Sequence, residues 1–90
     1  MSNKTVFKRL LVEINEYDRN RKEREAFAQR VYESIEALEG TPYSVHQQGR
    51  NWQYKIETEG YFDEEGFESE IKEVILKLKE WVNELIQIHS

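Results

Sequence analysis

Ser44 and His46 stand two positions apart, the spacing that puts two side chains on one face of a β-strand. A hydroxyl beside an imidazole is the start of nucleophilic catalysis, with the histidine taking the proton. No oxyanion-hole element and no third member accompanies this pair in the sequence. It therefore reads as two polar residues on the wet face of a strand. His89 is the other histidine, next to the last residue, and reads as a frayed end. Asp63, Glu64, Glu65, Glu68 and Glu70 crowd a span of eight residues. Acid–base catalysis needs carboxyls held in unlike environments within a cleft, and calcium needs the spacing of a helix–loop–helix site. These acids show neither pattern. The glycines Gly40, Gly49, Gly60 and Gly66 are isolated, so no phosphate-cradling loop is present. With no cysteine there is no disulfide scaffold, thiolate metal site or cysteine nucleophile. The expectation is a non-enzymatic protein with no catalytic residue, no metal site and no cofactor.

Binding chemistry is better represented. Arg50, Trp52, Tyr54 and Lys55 lie within six positions, a mixture that can stack bases and meet phosphates. Arg19, Arg21, Lys22 and Arg24 form a second basic segment. A nucleic-acid or nucleotide binder would use Arg21, Arg24, Arg50 and Lys55. The net charge of −5 counts against that reading, because phosphate neutralisation dominates such binding. The charge is also uneven along the chain. Residues 1–30 carry +3, residues 31–60 carry −3 and residues 61–90 carry −5. Acid density peaks between Glu57 and Glu73. Such asymmetry either steers a charged partner or lets the two ends of the chain pair with each other.

These groups need elements to position them. Phe67, Ile71, Val74, Leu78, Trp81, Leu85 and Ile88 recur at alternating spacings of three and four, with Ile75, Val82 and Ile86 beside them. That predicts a helix over 63–88, with Asp63 as its N-cap and Gly66 a weak point in its first turn. Tyr43 and Val45 alternate with polar residues, and so do Trp52, Tyr54 and Ile56. That predicts a β-hairpin turning at 48–51 around Gly49 and closed by Gly60. Gly40-Thr41-Pro42 separates it from a helix over 24–38. Residues 6–17 also fit helical spacing, with a break near Asp18–Asn20 and a fresh start capped by Asn20. In the alternative, residues 6–15 form a strand through Leu10, Val12 and Ile14. The expected fold is thus a single α+β domain over 1–90, helix–hairpin–helix (αββα) with long helices on a small antiparallel sheet. The alternative is βαββα with a three-stranded sheet, because a two-stranded sheet is marginal alone.

Ninety residues support one modest core. No apolar run approaches the length of a membrane span, and the first eight residues lack a signal-peptide core, so a cytoplasmic protein is expected. The apolar stripe on helix 63–88 is wider than one short hairpin can cover, which argues for a homodimer or higher homo-oligomer. The function expected is a protein-interaction module: an inhibitor, an immunity- or antitoxin-like factor, or an adaptor. It would act by occlusion, with Glu64, Glu65 and Glu68 meeting a basic surface of another protein while Trp81 and Leu85 anchor the contact.

Overall fold

The computed structural model describes residues 2–89. They form four helices: α1 (Asn3–Asn20), α2 (Arg24–Glu36), α3 (Tyr43–Glu64) and α4 (Ile71–His89). There is no strand among the described residues. Each helix packs against its neighbour in the chain, and α4 closes the ring against α1. The short connections make this an up-and-down four-helix arrangement.

The α+β expectation is therefore overturned, and so is its three-stranded alternative. The hairpin is the error. Residues 43–57 belong to one 22-residue helix. Its inward face is Val45, Gly49, Trp52, Ile56 and Gly60, spaced four, three, four and four. Two of those five positions are glycines, so the face looks broken when read for apolar side chains. The alternation of Trp52, Tyr54 and Ile56 is a short coincidence, for Tyr54 points to solvent while Ile56 is fully buried. Neither glycine makes a turn. A methyl group at Gly49 would sit 3.0 Å from Ile35 Cγ2, so α2 and α3 approach closely there. A methyl group at Gly60 would sit 2.8 Å from Arg24 Cδ and 2.9 Å from the Tyr17 hydroxyl.

The helix boundaries follow from local chemistry. The Ser2 hydroxyl accepts a hydrogen bond from the Thr5 amide and caps α1. Leu10, Ile14 and Tyr17 continue one buried stripe, so residues 6–15 are helix and not strand. The break falls slightly later than expected, at 21–23. Asn20 ends α1 and is not the cap of α2. Arg21 is left-handed (φ 55°) and returns its amide to the Tyr17 carbonyl, and Glu23 is left-handed too (φ 58°). Such conformations cost a non-glycine residue about 1 kcal/mol. Gly40 and Pro42 do interrupt the chain, as expected, and Pro42 stands at the N-cap of α3.

The helix expected at 63–88 begins eight residues later, at Ile71. Asp63 lies in the last turn of α3 and does not cap α4. Gly66 is left-handed (φ 78°) and terminates α3: its amide reaches the Asp63 carbonyl, and the Phe67 amide reaches the Phe62 carbonyl. This is a Schellman stop with glycine just past the helix. The Glu59 carboxylate, from α3, accepts the Glu70 amide at 2.8 Å and so caps α4 from across the turn.

The core is continuous. Phe7, Leu10 and Ile14 from α1 join Phe27, Ala28, Val31 and Ile35 from α2 and Ile71, Ile75, Leu78 and Val82 from α4. Tyr17 stacks flat on Phe27, with ring centroids 4.2 Å apart and planes 4° apart. Burial pushes the Tyr17 phenol above its ordinary value of 10.0, and the Glu64 and Asp63 carboxylates add to this against Arg24 and Arg21. The folded chain thus holds the phenol proton more tightly than the unfolded chain. That stability is present below pH 10 and is lost as pH rises through the folded value. Urea midpoints should fall above about pH 10, and Tyr17→Phe should lose less over the same range. An equal fall in both proteins would show that Tyr17 is not the titrating group. Among the described residues, no helix is long and apolar enough to cross a membrane.

Candidate functional site

The fold gathers the two charge peaks at one end of the molecule. The α1–α2 turn, the end of α3 and the start of α4 meet there. Arg24 Nη1 lies 2.6 Å from Glu64 Oε2, and Arg21 bridges Asp18 and Asp63 at 3.7 Å each. Lys79 donates to Asp18 at 3.2 Å. Arg24 also lies 5.4 Å above the Tyr61 ring. The basic segment therefore pairs with the acidic one inside the same chain. Arg21 and Arg24 are occupied with structure, and so is Glu64.

The other basic residues do not join them. Arg50 and Lys55 project from different sides of α3. The Arg50 guanidinium lies 5.8 Å from the Tyr32 ring centroid, and Lys55 Nζ lies 4.9 Å from that of Trp52. A hydrogen bond with Tyr32 raises the Arg50 pKa above its ordinary value. The four cations Arg21, Arg24, Arg50 and Lys55 do not form one surface.

Ser44 and His46 are not paired either, because on a helix residues two apart point in different directions. His46 Nε2 instead meets the Thr41 hydroxyl at 3.0 Å, and Nδ1 lies 3.3 Å from Glu36 Oε2. The imidazole thus ties the start of α3 to the 37–42 connection through Thr41, while Nδ1, beside Glu36, makes no hydrogen bond. His89 lends its carbonyl to the Asn3 side chain at 3.1 Å. Among the described residues, no group of three or more acidic or histidine side chains is placed to hold a metal ion.

The apolar anchor expected on α4 is largely internal. Leu85 is 4% exposed and belongs to the core. Trp81 is half-buried, tilted against Trp52 at 5.9 Å, and its indole donates to Gln48 at 2.9 Å. α1 and α3 cover most of the wide stripe that a hairpin could not, while Ile88 stays 71% exposed.

What stands out in its place is the α3–α4 turn. Phe62 is 37% exposed and Phe67 63% exposed, and their rings meet edge to face at 6.3 Å. Tyr61 stands edge-on to Phe62 at 5.9 Å. The Schellman stop explains the geometry, since it brings together the residue three back from the helix end and the residue after the glycine. That contact brings the two rings together without burying them. Glu65 and Glu68 flank the rings, exposed and outside every described ion pair. Glu59, Phe62, Glu68, Ser69 and Glu70 line an open hollow of about 530 Å³.

Of the expected contact residues, Glu68 lines this hollow, Glu65 is exposed in the same turn, and Glu64 is tied to Arg24. Phe62 and Phe67 were not expected there. The signal that could have found them is the pattern Phe62-x-x-x-Gly66-Phe67, an apolar residue, a glycine stop and a second apolar residue. No family model, curated protein or solved structure matches the chain.

Proposed function

We propose that the protein is a non-enzymatic interaction module, working in the cytoplasm, that occludes a basic surface of another protein with its α3–α4 turn. The observation that carries this reading is the pair of exposed rings of Phe62 and Phe67 in edge-to-face contact, with Glu68 lining the same hollow as Phe62. Interfaces concentrate their energy in a few anchors of this kind, and the anchors work best when already in place. The acids surround the anchor with negative potential. Their main effect is on encounter rate and on choice of partner, more than on final affinity. An inhibitor, an immunity- or antitoxin-like factor and an adaptor all act in this way.

Native mass spectrometry of the untagged protein, purified gently at low salt, tests the reading by finding the partner. Glu65→Lys with Glu68→Lys should then slow association about tenfold at low salt and little at high salt. Phe67→Ala should weaken the complex at least about tenfold through faster dissociation. Both variants should unfold at the wild-type urea midpoint, since neither touches the core. Unchanged kinetics in both would remove the turn from the interface.

A further inference from the structure

The outward face of α3 carries a second pattern, a quarter turn around the helix from the aromatic turn. With about 100° of rotation per residue, Gln47, Arg50, Tyr54, Thr58 and Tyr61 form one stripe. It lies opposite the buried Val45, Gly49, Ile56 and Gly60. Its spacings are three, four, four and three, the same from either end, with Tyr54 at the centre. Tyr43 extends it by one turn. Tyr43 is 74% exposed, Tyr54 69% and Tyr61 46%. Three of the chain's five tyrosines thus face water along one helix.

Tyr61 has partners of its own in Arg24 and Phe62, but nothing in the fold requires Tyr43 or Tyr54. Solvated helix faces are usually Lys, Glu and Gln, whereas tyrosine and arginine are enriched where proteins meet. Tyrosine offers a large rigid surface with few rotatable bonds, so ordering it costs little. Arg50 is also held in place, above the Tyr32 ring.

The charges select the occupant. The first half of the stripe has Arg50, and the second half has Glu57 at its edge, outside every described ion pair. Two copies side by side in parallel would set like against like. Two antiparallel copies, related by an axis through Tyr54, set Arg50 against Glu57 and Thr58 of the partner subunit, and do so twice. We propose that α3 is the seam of a two-fold symmetric dimer of this chain, with antiparallel α3 helices and Tyr54 on the axis. The two Tyr54 rings then stack in offset fashion, and Gln47 faces Tyr61 of the partner subunit. Such an interface is isologous and closes at two copies. A shallow helix crossing, near 20°, keeps most of the stripe engaged.

The absence of cysteine makes the test clean. Single-cysteine variants at exposed positions leave the fold intact, and a short bismaleimide reports which positions approach their own copy. Tyr54→Cys should cross-link to itself. Gln47→Cys alone should not, but should cross-link to Tyr61→Cys when the two variants are mixed. In sedimentation equilibrium the wild-type chain should be a dimer, and Arg50→Glu should raise the dissociation constant at least about tenfold. Combining Arg50→Glu with Glu57→Arg in one chain should restore it. A monomer at every concentration, equal self-cross-linking at Gln47 and Tyr54, or indifference to Arg50→Glu would each overturn the dimer. All these readouts use the purified chain alone, so they stand or fall independently of the α3–α4 turn and its partner.

Discussion

Phe27→Ala is expected to remove about 3–5 kcal/mol of folding stability, the range for deleting a fully buried aromatic ring. Phe27 has no exposed surface and lies flat against Tyr17, at the junction of α1 and α2. Its loss empties a space that β-branched neighbours such as Val31 and Ile35 cannot easily fill. A chain of this length holds roughly 5–13 kcal/mol in total. The variant should therefore unfold at a much lower urea concentration, with an unchanged slope if the transition remains all-or-none. Phe27→Leu should recover more than half of the loss, because it restores most of the volume. A Phe27→Ala loss below about 1 kcal/mol would mean that the ring is not in the core.

Gly60→Leu is expected to cost about 2–3 kcal/mol through overpacking, even though leucine is the better helix former by nearly 1 kcal/mol. The reason is the contact just past its Cα. A side chain there must displace the Arg24 stem and the Tyr17 hydroxyl, and with them the Arg24–Glu64 ion pair. Gly60→Ala meets the same atoms with a single methyl group and should cost less. Shortening the obstacle should help: the Arg24→Ala, Gly60→Ala double variant should be more stable than the two single losses added together. The double cycle, read by urea unfolding, distinguishes close packing from a turn. Were Gly60 a turn residue with positive φ, Arg24→Ala would make no difference to it.

These glycines also explain where sequence reading stopped. α4 is legible because its inward side is built from large aliphatics, Ile71, Val74, Ile75, Leu78, Val82 and Leu85, and only helical spacing groups them. α1 and α2 are legible for the same reason, and so is a break between them, but not its exact place. It rests on two left-handed residues, Arg21 and Glu23, of types that do not announce it. α3 presents the reverse case. Its inward side uses glycine where α2 and Arg24 come close, and glycine in a polar stretch carries the local signature of a turn. Tertiary packing decided the matter, and packing is not visible in six-residue windows. Gly66 is instructive in the other direction. The apolar spacing puts it inside a helix, yet it is the one glycine of the three beyond Pro42 that ends one.

The candidate surface was legible by half. The acid density between Glu57 and Glu73 does mark an exposed end of the molecule, and Glu65 and Glu68 stay exposed on it. The charge profile also allowed the basic and acidic ends to pair, and the Arg24–Glu64 and Arg21–Asp63 pairs realise that option. The aromatic component was misplaced. Helical spacing makes Phe67 the first inward residue of α4, whereas it is the last residue of a helix stop. Trp81 and Leu85 look surplus beside a hairpin, but α3 is a helix and packs on α4.

The Asn3 side chain has a consequence of another kind. Its amide nitrogen donates to the Glu39 carbonyl at 2.8 Å and to the His89 carbonyl at 3.1 Å, and its oxygen accepts the Glu39 amide. One residue thereby stitches the beginning of α1, the end of α4 and the α2–α3 connection into a single knot. The polypeptide enters and leaves the bundle at the same spot. Such a unit is modular in the engineer's sense. It can be spliced into a surface loop of a host protein without prising the loop's two ends apart, and it would display its opposite, aromatic and acidic end outward like the head of a pin.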